Sequence, residues 1–334
     1  MCNSILVQQN LTVNIMKKFG KWAAFVVIAL ILLVIISIAY IVLALPDVGQ
    51  PENITIAITP QRIARGQYLA NNVALCMDCH SQRDWSKPIG EIAPDKLGAG
   101  GDDFDASAGI PGDIFVPNIT PYRLKGWTDG EIFRAITTGE RKDGSAIFPF
   151  MPWPNFAQMS REDLYSIIAY LRTLHPIKTA DYPKRKLDFP TNILVHLMPQ
   201  KADLGHVPAL SDTVNYGHYL VTAASCGFCH SQSEKGNPIA GMELAGGVKF
   251  QMGDKTVTSA NITPDKGTGI GNWTEETFLQ RFKSFRDTSK GHKPSLAMSP
   301  MPWYDYSGMT ETDIKAIYTY LRTVKPVRNK TAGL

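Results

Sequence analysis

The hydropathy pattern changes character near residue 46. From Trp22 to Leu45 the chain reads WAAFVVIALILLVIISIAYIVLAL, 24 residues without a charge. A helix rising about 1.5 Å per residue crosses a hydrocarbon core roughly 30 Å thick over such a length. Beyond it, the apolar positions fall into helical spacing. Leu164, Ile167, Ile168 and Leu171 recur at i, i+3, i+4 and i+7, and Ile314, Ile317, Tyr318 and Leu321 repeat the pattern. A capping-box arrangement precedes each run, Ser160-x-x-Asp163 and Thr310-x-x-Asp313. Further helices are expected over residues 61–78 and 212–228, and after Thr128 and Thr274, where threonine serves as N-cap. Strand-like alternation does not persist anywhere, and Gly-rich stretches such as LGAGGDDFDASAGIPGD read as loops. The pattern predicts an all-α fold.

Those helices come twice. Cys76-Met-Asp-Cys79-His80 matches Cys226-Gly-Phe-Cys229-His230 at an offset of 150 residues. Met151-Pro152-Trp153 with Met301-Pro302-Trp303, and Tyr170-Leu-Arg-Thr173 with Tyr320-Leu-Arg-Thr323, keep that offset. Asn118-Ile-Thr-Pro121 pairs with Asn261-Ile-Thr-Pro264 at 143, a slip that places small insertions in surface loops. The expected organisation is a cytoplasmic N-terminus (1–21), a transmembrane anchor (22–45), a connector (46–60), a first domain (61–176), an inter-domain linker (177–210) and a second domain (211–334).

Charge orients the anchor. Lys17, Lys18 and Lys21 precede the apolar run and no acidic residue accompanies them, so the positive-inside rule keeps the first residues in the cytoplasm and the rest outside. The formal net charge of +4 comes mostly from those lysines, and nothing points to a nucleic-acid partner. A cleaved signal peptide would have an apolar region of roughly 7–15 residues and a small-residue cleavage site. Leu43-Ala44-Leu45 offers no such site, and the run reads as an uncleaved anchor in a bacterial inner membrane. Met16-Lys17-Lys18 resembles a natural bacterial start, which would leave residues 1–15 and the lone Cys2 outside the native chain.

The cysteines then supply the chemistry. Four of the five form the two C-x-x-C pairs, and a histidine follows each pair at once. C-x-x-C-H is the attachment signature of c-type haem. One helical turn brings both sulfurs to the same face, where they form thioethers with the porphyrin vinyl groups. The adjacent histidine reaches the iron. A thioredoxin-like pair would need a strand-then-helix context, and a zinc site would need four converging ligands. The expectation is two covalently bound haems c, held by Cys76, Cys79, Cys226 and Cys229, with His80 and His230 as proximal iron ligands.

For the sixth ligand, the remaining histidines (His175, His196, His206, His218, His292) have no histidine at the equivalent repeat position. Two methionine pairs do repeat. Met159 and Met309 sit just before N-caps, where a hydrophobic staple explains them. Met151 and Met301 lie in Pro-rich loops suited to presenting a side chain, and are assigned as axial ligands, with Met298 as the local rival. Tyr68, Tyr219, Tyr170, Tyr320, Trp153 and Trp303 are expected to wall the haems or pack helices. Asn118 and Asn261 either hydrogen-bond propionates or cap a turn.

The series RGQYLANNVALCMDCH, PNITP, GWT, FMPW, LYSIIAYLRTLHPI, echoed by YGHYLVTAASCGFCH, ANITPDKGTGIGNWT, SPMPW and IKAIYTYLRTVKPV, resembles class I cytochrome c domains. The resemblance is to those in the cytochrome subunits of bacterial membrane-bound alcohol and aldehyde dehydrogenases. It spans residues 61–326; the first copy departs by having Tyr122-Arg-Leu-Lys125 in place of D-x-x-TGIG. The resemblance implies thioether cysteines, proximal histidines and distal methionines at the residues above, and no catalytic residues. It implies an electron carrier in a periplasmic respiratory chain, taking electrons from a dehydrogenase and passing them to an oxidase or a soluble cytochrome. A dihaem subunit of a haem-copper oxidase is the nearest alternative, followed by a dihaem peroxidase and a haem-based sensor.

Overall fold

The computed structural model describes residues 2–84, 91–101, 103–183, 185–234, 237–252, 255–285 and 299–331. A single helix, α1 (Cys2–Ala44), contains the apolar run, and its stretch Lys18–Ala44 is long and apolar enough to cross a membrane. Side chains 18–40 are all exposed, and Ile41 is half-buried.

The chain after α1 runs along the first copy rather than hanging free. Asp129 accepts from the Ile56 backbone N–H at 2.8 Å, and Arg161 pairs with Glu52 at 2.6 Å. Helix α2 (Pro60–Tyr68) follows, capped by the Thr59 hydroxyl and started by a proline whose missing N–H is no loss at that position. It passes into a π-helical turn, Leu69–Val73, and then stops, because Leu75 adopts a left-handed conformation (φ 52°). The cysteine motif is thus a separate turn, α3 (Cys76–Cys79). The continuous helix expected over 61–78 is broken just ahead of its chemistry.

Later elements of the first copy are α4 (Pro121–Leu124), α5 (Asp129–Thr138), α6 (Trp153–Phe156) and α7 (Arg161–Thr173). Thr128 caps α5 in a complete capping box with Glu131. The linker contributes α8 (Thr191–Leu194). The second copy repeats the plan with α9 (Thr213–Ala223), α10 (Cys226–His230), α11 (Glu275–Lys283), α12 (Trp303–Tyr306) and α13 (Glu311–Leu321). Ser225 repeats the left-handed break of Leu75 at φ 54°. Few L-residues other than Asn and Asp occupy that region without support from their surroundings.

In each copy the first and last helices cross at a glycine. A Cβ on Gly66 would lie 1.8 Å from the Ser166 carbonyl oxygen, and one on Gly217 would lie 2.0 Å from that of Ala316. Only glycine permits these crossings. The periodic faces of α7 and α13 fill the space beneath: Leu164, Ile168 and Ile314 are completely buried.

The fold is mostly helical, with short antiparallel ladders in the loops. Lys249–Met252 pairs with Lys255–Thr258, and Gly112–Phe115 is flanked by Asp103–Phe104 and by Lys186–Leu187 of the linker. These strands are two to four residues long, too short for alternation to register in the sequence.

The two copies share one hydrophobic core, running from Leu69, Ile168 and Tyr170 to Leu220, Ile314 and Leu321. They exchange elements symmetrically across it: α6 packs on α9, and α12 packs on the π-helical turn Leu69–Val73.

Candidate haem sites

Each cysteine motif forms a helical turn behind the left-handed residue, so its two sulfurs share a face. The His80 backbone N–H donates to the Cys76 carbonyl at 3.0 Å. All four motif cysteines are half-buried free thiols rather than disulfides. Burial pushes the Cys76 and Cys226 thiols up to about 12 and that of Cys229 up to about 11. A reactive redox pair needs the opposite, a depressed thiol pKa. Among the described residues no group of three or more His, Cys, Asp or Glu side chains is placed to hold a metal ion, so a zinc reading finds no ligand set.

The histidines are oriented identically in the two copies. His80 Nδ1 donates to the Pro117 carbonyl at 2.8 Å, and His230 Nδ1 donates to the Ala260 carbonyl at 2.8 Å. Because the partner is a carbonyl, Nδ1 must carry the proton, and in a neutral ring Nε2 is then a free lone pair. Burial holds both imidazoles below the ordinary histidine range, and the Arg141 charge adds to this at His80. A neutral imidazole with Nε2 free and Nδ1–H held by a carbonyl is the form that ligates iron. With a thiol pair on the adjoining turn, the donor set fits a covalently held haem.

The carbonyls that hold the histidines precede the Asn-Ile-Thr-Pro repeats, and this gives those repeats a purpose. Asn118 accepts from the Thr120 N–H and hydroxyl at 2.8 and 2.7 Å and donates to the Ile177 carbonyl at 2.7 Å. Asn261 does the same with Thr263 and with the Val327 carbonyl. Both asparagines are buried and tie the turn to the segment beyond the last helix, so their amides are spent on structure rather than on propionates.

Met151 and Met301 are half-buried at the start of matching turns, each with its carbonyl accepting from the tryptophan two residues on, at 2.7 and 2.8 Å. Met159 and Met309, 1% exposed, lie inside the common core. Met298 and His292 lie outside the described residues. The Cys76 thiol adds to a raised pKa at Tyr170, and the Cys226 thiol does so at Tyr320. Burial is the larger cause of their raised pKa. Tyr68 and Tyr219 have a different place, between the copies: Tyr219 donates to Asp163 at 2.6 Å and Tyr68 donates to Asp313.

Three features escaped the sequence reading. Tyr306 is buried and donates to the Ala224 carbonyl at 2.7 Å. Its pKa stands well above the phenol range, through burial first and then Cys226, Cys229, Asp305 and Cys79; one side chain thus senses thiols of both motifs. Phe150, beside Met151, meets Phe228 of the second motif edge to face at 6.1 Å. Arg141 and Arg185 converge on the Ala146 carbonyl, at 3.2 and 2.5 Å. Burial presses both guanidinium groups below their usual range, and Arg141 adds to this at Arg185, with only the Asp143 charge in opposition. The repeat could have hinted at Tyr306 through its counterpart Phe156. Nothing in the sequence joins Arg141 to Arg185.

The chain is similar in sequence to known cytochromes c. Residues 214–325 match the cytochrome c family. The cytochrome c subunit of the quinone alcohol dehydrogenase from Gluconacetobacter polyoxogenes is 29% identical over 233 residues, which is 65% of this chain and 49% of that subunit. The fructose dehydrogenase cytochrome subunit of Gluconobacter japonicus is 31% identical over 281 residues, 78% of this chain and 52% of that protein. A diheme cytochrome c-type protein of Cereibacter sphaeroides is 27% identical over 266 residues, 75% of this chain and 82% of that protein. The chain spans about half the length of the two dehydrogenase subunits.

Proposed function

We propose that this chain, which carries a cytochrome c domain and resembles the cytochrome c subunits of bacterial sugar and alcohol dehydrogenases, is a dihaem electron carrier anchored in the inner membrane by α1, with both copies in the periplasm. Its donor is a periplasmic or membrane-bound dehydrogenase, and its acceptor is an oxidase or a soluble cytochrome. The observation that carries this reading is the pair of matching imidazoles, each with Nδ1–H bound to a carbonyl and Nε2 left for iron.

In this reading Cys76 and Cys79 hold one haem and Cys226 and Cys229 the other, with His80 and Met151, and His230 and Met301, as axial ligands. Bound haem supplies a one-electron centre, and with both axial positions taken it has no site for a substrate. The protein's share is to hold the ligands still. Fixed imidazoles, buried surroundings and the shared core keep reorganisation small when charge changes. Tyr306, buried with its hydroxyl on the Ala224 carbonyl two residues before the second motif, is part of that rigid frame.

The test is a potentiometric titration of the full haem-loaded chain in membranes, with carbon monoxide added to the reduced form. Two haems of raised potential that do not bind the gas are expected. One low-potential haem that binds it would overturn six-coordination at that site and favour a peroxidase or sensor.

A further inference from the structure

The linker between the copies leaves large apolar side chains exposed. Helix α8 continues as a single 3-10 turn, Val195–Leu197. Val195 is fully buried in a small core with Ile110, Ala146 and Leu187, and Met198 packs on the same cluster. On the other side, Leu194 and Leu197 are 46% and 50% exposed, and Phe189, just before the helix, is 78% exposed. A helix apolar on both sides is suited to two apolar neighbours, and the folded domain supplies one.

The position of the second neighbour follows from α1. His196 Nδ1 donates to the Leu45 carbonyl at 2.9 Å, one residue beyond the end of α1. Helix α1 packs on α8 and on the Val195–Leu197 turn. Ile41 is half-buried, the first side chain from residue 18 onward that is not exposed. A bilayer core needs about 20 helical residues, so a 27-residue apolar stretch ending at Ala44 brings this end to the boundary of hydrocarbon and headgroups. The exposed face of Leu194 and Leu197 is therefore held beside the end of the span. Lys186 and Lys201 are exposed near either end of the segment, as cations are at the headgroup level of anionic bilayers.

We infer that residues 189–197 are a second membrane contact, with Phe189, Leu194 and Leu197 entering the outer-leaflet interface of the lipid bilayer. The inference rests on reading α1 as a membrane anchor. One helix by itself leaves a domain free to swivel about the span. A second contact through the linker, whose Val195 is locked into the first copy, sets the height and rotation of both copies above the membrane. It thereby determines which face a membrane-bound partner meets.

Site-directed spin labels on the full haem-loaded chain test this. Leu194→Cys, Leu197→Cys, Ile31→Cys and Glu276→Cys, each in a Cys2→Ser background, would be labelled and placed in liposomes of phosphatidylethanolamine and phosphatidylglycerol. Collision with oxygen is then compared with collision with a water-soluble nickel chelate. Labels at positions 194 and 197 are expected to favour oxygen several-fold over the chelate, as position 31 does, whereas exposed position 276 favours the chelate. Positions 194 and 197 behaving as 276 does, with 31 still in lipid, would overturn the second contact alone. Chelate access at position 31 would remove the anchor reading and this inference with it.

Discussion

The hydroxyl of Tyr219 donates to Asp163 at 2.6 Å across the boundary between the two copies, and it also accepts from the backbone N–H of Ser160 at 3.3 Å. Its counterpart Tyr68 repeats both contacts in reverse, donating to Asp313 and accepting from the Thr310 N–H at 3.1 Å. Each copy's first helix thus completes the N-cap of the other copy's last helix. Tyr216 adds a bond to Asp313 at 2.9 Å, and Arg65 grips Asp163 with two bonds of 2.8 Å.

Removing one of these hydroxyls leaves a buried carboxylate and a cap N–H short of a partner. Tyr219→Phe is expected to cost about 1–3 kcal/mol of stability. Urea unfolding of the haem-loaded chain measures it, and an unchanged midpoint would show that the cross-copy cap carries no energy.

The same tyrosines give the interface an alkaline limit. Tyr68, Tyr216 and Tyr219 are held above the usual phenol range, by burial first and then by the carboxylates they face. A group whose folded pKa is raised contributes stability that is fully present below its unfolded pKa, about 10 for tyrosine, and is lost as pH rises toward the folded value. The stability difference between wild type and Tyr219→Phe should therefore be constant from pH 7 to about 9 and shrink above about 10. A difference that grows with alkalinity would reverse the sign.

The glycine crossings predict a steric penalty. Gly66→Ala places a methyl 1.8 Å from the Ser166 carbonyl oxygen, where backbone must move. A loss of about 2–4 kcal/mol is expected, read from thermal unfolding, against a surface change within about 0.5 kcal/mol for the open Gly126.

Replacing Met151 or Met301 by alanine should lower the potential of that copy's haem alone and let it bind carbon monoxide. A fall on the order of 100 mV is expected, within the roughly 0.8 V that axial ligation spans. An unchanged potential and no gas binding would return the sixth position to another side chain.

The Arg141 charge bears on His80, so with the proposed haem bound there it would oppose an oxidised, more positive iron. Arg141→Gln should lower the first haem's potential by on the order of tens of millivolts and leave the second unmoved. Equal shifts in both would place Arg141 between the sites instead.

The elements written in short spacings were legible without a structure. The apolar run of α1, the Thr128, Ser160, Thr274 and Thr310 caps, and the buried faces of α7 and α13 appear where the pattern puts them. The two C-x-x-C-H turns carry their meaning within five residues each. Such features depend on neighbours along the chain, whose relative positions the helix itself determines. What the spacing got half right is instructive. Ser160-x-x-Asp163 reads as a capping box, and Ser160 does accept from the Asp163 N–H at 3.1 Å. The return half does not close locally, because the Asp163 carboxylate turns to Arg65 and Tyr219.

That second half belongs to the tertiary structure. Tyr68 and Asp313 are 245 residues apart in the chain, and Tyr219 and Asp163 are 56 apart. No local periodicity encodes which distant hydroxyl reaches a buried carboxylate; the packing of α6 on α9 and of α12 on the π-helical turn decides it. The same holds for the Asn-Ile-Thr-Pro turns that aim His80 and His230, for the meeting of Arg141 and Arg185, and for Leu194 and Leu197 beside the end of α1. By itself the sequence determined where the two C-x-x-C-H turns and the main helices fall. Only the fold decided how two copies share one core, because burial presses most polar groups in that core to find a partner wherever the packing puts one.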